Sequence, residues 1–267
     1  MSTPRILFDV DSPDTGLAFL TVNRPEARNA MTSDMYQALV DACERVDDDP
    51  AIRVFVLRGA GGQAFMSGTD IAQFTRFSTR EDALAYEREL DAVVDRLERV
   101  TKPTIAQVQG IATGGGCAIA LACDLRVCTP DARFGVPVAR TLGNCLSAAN
   151  YARLLDLLGP ARTKDLMFTG RLIDAAEAER LGLVNRVIHS GDANAIDAAV
   201  RELAATIARN APLTLRATKE MVRRLQAARR IPQSEADDLI AMCYVSDDFK
   251  EGVAAFLAKR PPVFKGR

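Results

Sequence analysis

The sequence predicts an α/β fold: short β-branched runs alternate with amphipathic helical periods as far as about residue 190, and only helical periods follow. Such alternation requires a parallel or mixed sheet covered by helices, not a sandwich or a bundle. At 267 residues the chain is near the upper end of what one hydrophobic core supports. We therefore expect one large α/β core over residues 1–192 and a smaller helical region over 193–267.

Taken in order, the β-branched runs predict strands at Ile6 to Val10, Leu17 to Val22, Ile52 to Leu57, Thr104 to Gln109, Leu125 to Cys128 and Leu183 to Ile188. Met35, Leu39, Ala42, Cys43 and Val46 recur at spacings of three and four, which places them on one helix face. Ala83, Tyr86, Leu90, Val93, Leu97 and Val100 do the same. Gly159-Pro160 stops the helix that holds Leu154 and Leu158, and Asp174 with Glu177 reads as a capping-box start. Ile196, Val200, Leu203 and Ile207 open the terminal run of helices, which continues through Met221, Leu239 and Phe256.

Hydrophobic residues make up 48% of the chain and charged ones 26%, close to ordinary globular usage. Thirty-four Lys and Arg against 35 Asp and Glu leave a net charge of -1, with no global field to hold a nucleic acid. MSTPRILFDVDSPD turns acidic too early for a signal peptide, and no apolar run approaches the ~18 to 20 residues of a membrane span, so a cytoplasmic protein is expected. The six cysteines form no CxxC pair and lie mostly in apolar stretches, which predicts buried reduced thiols. A zinc site would want histidines, and His189 is the only one, so no metal is expected.

The chemistry concentrates in two glycine turns. KPTIAQVQGIATGGGCAIALACD, from Lys102 to Asp124, reads as a buried strand, a turn at Gly114, Gly115 and Gly116, and an apolar helix. A helix starting there presents free N–H groups that can hold a phosphate or a developing oxyanion, though a tight packing turn explains the glycines equally well. The spacing matches neither GxGxxG nor a Walker loop. A second turn, GAGGQAFMSGTD from Gly59 to Asp70, also follows a strand. Two such turns can bring two N–H groups to one point, the geometry of an oxyanion hole.

Four segments in order resemble the enoyl-CoA hydratase/isomerase family of the crotonase superfamily: NRPEARNAM (Asn23 to Met31), GGQAFMSGTDI (Gly61 to Ile71), the TGGGC segment, and FTGRLIDAAEAERLGLVNRVI (Phe168 to Ile188). The ending EGVAAFLAKRPPVFKG is similar to that family's C-terminal helix and tail. The resemblance implies a crotonase-type spiral of ββα units with a C-terminal helical trimerisation region, and a homotrimer or homohexamer. It implies coenzyme A as part of an acyl-CoA substrate and no permanently bound cofactor. Thr69 and Gly115 would then supply the backbone oxyanion hole, Ala27, Arg28, Ala30 and Ile71 would border CoA, and Phe256 and Lys259 would reach it, in some members from a neighbouring subunit.

The chain departs from the family where hydratases carry glutamates in GGGCE and FGxPE patterns: here Ala118 and Val138 stand at those places. Neither can transfer a proton, which puts standard hydration in doubt. About one extra residue precedes Gly143 in FGVPVARTLGNCLSAANY, so Arg140, Asn144, Cys145, Ser147 and Asn150 are candidates near that wall. Asn144 and Ser147 equally suit a helix N-cap, as Asp70 does before Ile71. Asp70, Glu87 and Asn144 are the acid/base candidates, although Tyr86, Glu87 and Glu89 also fit a plain polar helix face. His189 reads as a surface turn with Ser190-Gly191, and Arg223, Arg224, Arg229 and Arg230 as a solvated face or a phosphate contact. Isomerisation, thioester hydrolysis, decarboxylation and silent acyl-CoA binding stay open beside hydration.

Overall fold

The computed structural model describes residues 4–11, 15–77, 79–190, 192 and 194–267. Gly191 of the expected turn and Ala193 at the expected domain boundary lie outside the described residues. The antiparallel pair β1 (Ile6–Val10) and β2 (Leu17–Val22) opens the chain, followed by α1 (Ser33–Asp48). Three similar turns come next. In the first, β3 (Val54–Gly59) and β4 (Ala64–Met66) precede α2 (Arg80–Glu98); in the second, β5 (Thr104–Val108) and β6 (Ile111–Thr113) precede α3 (Gly115–Ala122). In the third, β7 (Leu125–Cys128) and β8 (Arg133–Gly135) precede α4 (Val138–Thr141) and α5 (Ala148–Thr169). Then follow β9 (Ile173–Asp174), α6 (Ala175–Arg180), β10 (Arg186–Val187), α7 (Ala195–Ala208), α8 (Pro212–Ala227), α9 (Asp237–Tyr244) and α10 (Asp247–Leu257).

Each turn gives one strand to each of two sheets, which is what makes the chain a spiral of ββα units. One sheet runs β1-β2-β3-β5-β7-β10 and the other β4-β6-β8-β9. Side-chain alternation along β2 divides its burial. Leu17 and Phe19 pack with Ile196, Val200 and Ala204 of α7 on one face, while Ala18, Leu20 and Val22 enter the main core with α1 and α3. A third cluster, with Phe74, Leu84, Leu142, Ile240, Tyr244 and Phe249, holds α9 and α10 over α2.

The helix signals act through ordinary capping. Thr79 accepts from the Asp82 N–H at 3.1 Å while Asp82 accepts from the Thr79 N–H at 2.9 Å, a full capping box for α2. Asp174 accepts from the Glu177 N–H at 2.8 Å, the N-cap half of the expected box, while the Glu177 carboxylate accepts from Arg171 at 2.8 Å through both oxygens instead of closing it. Some readings need correction. Ile52 precedes the third strand, which starts at Val54 because the Arg53 and Val54 N–H groups go to the Gly16 carbonyl at 2.7 and 3.1 Å. Leu183 and Val184 turn their N–H groups back to the Ala178 carbonyl, so only Arg186–Val187 of that run is strand. Thr104 to Gln109 stops one residue short, and α2 ends at Glu98, leaving Val100 buried beyond it. Gly159, at φ 72°, breaks the helix as expected, but a helix resumes at Pro160 and runs to Thr169.

Candidate functional site

The second sheet places the two glycine turns side by side. Strands β4 and β6 are parallel neighbours with Met66 opposite Ala112, so the residues that follow them, Ser67 to Thr69 and Gly114 to Gly115, leave the sheet together. The Thr113 hydroxyl donates to the Ser67 carbonyl at 3.2 Å. A Cβ on Gly68 would lie 3.4 Å from the Gly115 nitrogen, and one on Gly115 would lie 3.7 Å from Thr69 Oγ1. Gly68 (φ 100°) and Gly114 (φ 55°) occupy conformations that other residues resist. Gly116 has no room at all: its Cβ would meet the Met66 carbonyl oxygen at 2.1 Å. Among the described residues neither the Thr69 N–H nor the Gly115 N–H has an acceptor in the chain, since the loop bonds run from Met31 to Gly68 O, Asp70 to Met31 O and Gly114 to Gly135 O. Gly115 also begins α3, whose first N–H groups point outward. Two donors so placed can hold one anionic oxygen.

Both turns open into a cleft of about 620 Å³. The loop Arg24 to Ala30 forms one rim, and buried Asn29 builds it, accepting from the Arg24 N–H at 3.0 Å and donating to the Ala60 and Ala64 carbonyls at 3.0 and 2.7 Å. Ala27, Arg28, Ala30 and Ile71 line that rim, and Phe256 and Lys259 come to it from the end of α10 in the same chain. Arg28 and Lys259 therefore bring cations to the cleft mouth. The inner wall carries Tyr86, Glu87, Leu90, Ala118, Val138, Asn144, Cys145 and Tyr244.

Glu87 is the buried carboxyl of that wall, 3% exposed. Burial pushes it up to about 8, against the lowering effect of hydrogen bonds from the Tyr244 hydroxyl and the Ser147 N–H. Asn144 Nδ2 in turn donates to Tyr244 Oη at 2.9 Å. Tyr36 and Tyr86 place their hydroxyls 2.8 and 2.6 Å from Thr69 Oγ1, and burial raises both, Tyr36 to about 12. Asp70 differs in kind. Burial alone would raise it, but the Arg24 hydrogen bond, the Ala72 N–H and the Arg24 charge hold it below the usual carboxylate range.

The model of the enoyl-CoA hydratase/isomerase family matches residues 13–267. The chain belongs to that family. It is 35% identical over 259 residues to a crotonyl-CoA hydratase of Syntrophomonas wolfei, covering 93% of this chain and 94% of that one. It is 34% identical over 251 residues to a short-chain-enoyl-CoA hydratase of Clostridium acetobutylicum, covering 91% and 92%. A solved enoyl-CoA hydratase/isomerase from Xanthobacter autotrophicus Py2 superposes with a TM-score of 0.82 at 29% identity, covering 97% of this chain and 98% of that one. An enoyl-CoA hydratase/carnithine racemase from Magnetospirillum magneticum gives 0.78 at 34% identity, covering 100% and 97%. The fold is thus the crotonase type, and the protein is an enzyme of the enoyl-CoA hydratase/isomerase family.

Within this family member the structure brings the sequence candidates together unevenly. Ala118 and Val138 face the cleft, 6% and 8% exposed, with no titratable group. Ser147 caps α5, accepting from the Asn150 N–H at 3.3 Å, whereas Asn144 is occupied with Tyr244 and caps nothing. Asp70 does cap the short helix at Ile71, accepting from the Ala72 N–H at 3.1 Å. The polar-face reading holds for exposed Glu89 and fails for Glu87, which turns inward between α2 and α9. Exposed His189 stands away from the cleft, and so do the arginines, of which Arg223 and Arg224 pair with Glu220, Arg229 with Asp156 and Arg230 with Glu98. Four of the thiols are buried, but Cys145 at the cleft wall and its neighbour Cys243 are half-buried. Sequence reasoning missed Arg24, Asn29, Tyr36 and Tyr244. Tyr36 carried a readable signal, lying one residue from the apolar stripe at Met35, and Arg24 and Asn29 lie within the NRPEARNAM segment already singled out, whereas Tyr244 carried none.

Among the described residues no group of three or more His, Cys, Asp and Glu could hold a metal, and no helix is long and apolar enough to cross a membrane.

Proposed function

We propose that the chain binds an acyl-CoA thioester with its carbonyl oxygen on the Thr69 and Gly115 N–H groups and stabilises the enolate formed there. The observation that carries this reading is the pair of donors left without acceptors where β4 and β6 deliver the two turns side by side. A thioester makes its α-proton acidic, and two preorganised donors in a dry site lower the barrier further, by about 2.7–4 kcal/mol for one such donor elsewhere. Ala27, Arg28, Ala30, Ile71, Phe256 and Lys259 border the CoA portion, with Arg28 and Lys259 toward its phosphates. CoA enters as part of the substrate, and no resident cofactor is assigned. With Ala118 and Val138 at the two glutamate places, ordinary hydration is weak and the proton-transfer group lies elsewhere on the wall.

The residues from 193 onward form the assembly region of a homotrimer or homohexamer in the cytoplasm. In support, α8 buries none of its residues although it carries exposed Leu213, Met221, Val222 and Leu225. Light scattering at micromolar concentration tests this, and a stable monomer refutes it. Calorimetry with acetyl-CoA, longer acyl-CoAs and free CoA tests the main reading: acyl-CoAs bind more tightly than free CoA, and no binding by any of them overturns it.

A further inference from the structure

The acid/base position left empty by Ala118 and Val138 directs attention to what else the cleft offers. Three carboxylates line it: Glu26, Asp70 and Glu87. Glu26 is 73% exposed at the mouth, 3.9 Å from Arg24. Asp70 is bound by Arg24 at 2.7 Å and by the Ala72 N–H, which engage its carboxylate oxygens and hold it below the usual carboxylate range, away from a base's working range near neutral pH. Glu87 alone is sealed in the wall, on the same helix as Tyr86, whose hydroxyl reaches Thr69 Oγ1 beside the proposed oxyanion donors.

The surroundings of Glu87 fix it without neutralising it. The chain of donors runs from Asn144 Nδ2 to Tyr244 Oη and from the Tyr244 hydroxyl to Glu87 Oε1, with the Ser147 N–H as a further donor. No cation pairs with Glu87 among the described residues. The titratable groups that face it are Tyr36 from α1, Tyr86 and Asp91 from α2, Cys145 before α5 and Tyr244 from α9. Every one is neutral or anionic. Their environment therefore holds a carboxyl whose protonated and ionised forms are close in free energy near neutral pH, as a group that both takes and returns a proton requires.

We propose that Glu87, oriented by Tyr244, is the proton-transfer residue of this enzyme and that its reaction is a one-carboxylate double-bond shift between 3-enoyl-CoA and 2-enoyl-CoA. The inference rests on the acyl-CoA reading above. In the forward step the Glu87 carboxylate takes the α-proton, the α C–H bond breaks, and its electron pair moves into a dienolate whose oxygen lies on the Thr69 and Gly115 N–H groups. The same carboxyl then returns the proton to the γ-carbon, the double bond moves from the β,γ to the α,β position, and the carboxylate is restored. Substrate and product are isomers, so no oxidant, reductant or water is consumed. Tyr244 is a positioning residue, contributed to the cleft by α9 of the same chain.

The test follows conversion of trans-3-hexenoyl-CoA to the conjugated 2-isomer, with calorimetric binding of hexanoyl-CoA measured in parallel. Wild type converts it with a kcat/KM that rises as the carboxylate forms, about tenfold per pH unit below an inflection near 8. Glu87→Gln keeps hexanoyl-CoA binding and loses about 10²- to 10⁴-fold in kcat. Glu87→Asp retains an intermediate rate. Tyr244→Phe removes a donor to the carboxylate and moves the inflection to higher pH with KM little changed, a readout that a merely structural tyrosine would not shift. Undiminished conversion by Glu87→Gln, an unmoved inflection in Tyr244→Phe, or wild type that binds hexanoyl-CoA but never isomerises 3-hexenoyl-CoA overturns the inference and leaves acyl-CoA binding standing. Absence of hexanoyl-CoA binding by wild type overturns the acyl-CoA reading itself.

Discussion

Arg24 and Asp70 join the two loops that form the cleft rim, Nη1 to Oδ2 at 2.7 Å, and the same Arg24 nitrogen donates to the Ala30 carbonyl at 3.1 Å. Forty-six residues apart in sequence, they lock the NRPEARNAM loop onto the SGTDI turn. Asp70→Asn is expected to cost about 1–3 kcal/mol of stability by weakening this charge-assisted bond. Because the folded-state carboxyl sits below its ordinary value of 3.8, that contribution is present above about pH 4 and disappears as the pH falls through the lower folded value. Denaturant unfolding of both proteins from pH 7 down to pH 2 measures it. A difference that persists undiminished at pH 2 contradicts the assignment.

Gly115 and Tyr36 form a second coupled pair. A Cβ at residue 115 would lie 2.8 Å from Tyr36 Oη, and that hydroxyl is fixed by Thr69 Oγ1 at 2.8 Å. Gly115→Ala should therefore displace the turn and weaken acyl-CoA binding about tenfold, or about 1.4 kcal/mol. Tyr36→Phe removes the obstructing oxygen, so the double variant should bind more tightly than Gly115→Ala alone. A double-mutant cycle by calorimetry reads the coupling, and strict additivity would sink this account.

Glu98 on α2 meets Arg153 of α5 at 2.7 Å and Arg230 beyond α8 at 2.9 Å, with Arg153 buried. Burial raises the carboxyl, but the hydrogen bonds and charges of Arg230 and Arg153 outweigh it and hold Glu98 down to about 2. Its stabilisation is present above the unfolded value of 4.5 and is lost between there and about pH 2. Glu98→Gln leaves Arg153 with an uncompensated charge, at an expected cost of about 3–5 kcal/mol near pH 7. Urea denaturation checks this, and a cost below roughly 1 kcal/mol, the range of exposed pairs, would refute it.

Which features were legible depended on how local their causes are. The stripe from Met35 to Val46 reads directly because every third or fourth side chain on α1 meets the core, and the Asp174 cap reads because its acceptor and donor are three residues apart. Strands β4, β6 and β8 were invisible, since three residues carry no measurable period and their pairing lies between distant segments. In the cleft the glycine turns stood out by residue type. Glu87 was legible only as a candidate, because the α2 period alone cannot say that α9, 157 residues away, covers that position and brings Tyr244 to it.

Crotonyl-CoA hydration by the wild-type protein should be weak or absent. Ala118 lies in the first turn of α3 and Val138 opens α4, both facing the cleft where the resemblance places two glutamates. A positioned acid or base contributes ~10²- to 10⁴-fold each, so loss of both exceeds what two backbone donors restore. In hydration Glu87 alone would have to activate the water and also supply the α-proton, work that the two glutamate places would share. Steady-state hydration of crotonyl-CoA is the measurement, first on wild type and then on Ala118→Glu, Val138→Glu and the double variant. The double variant should gain hydration over wild type while retaining acyl-CoA affinity. Wild-type turnover in the ordinary range of roughly 1 to 10³ per second would show that the present wall already hydrates, and the account of the two replaced positions would fall.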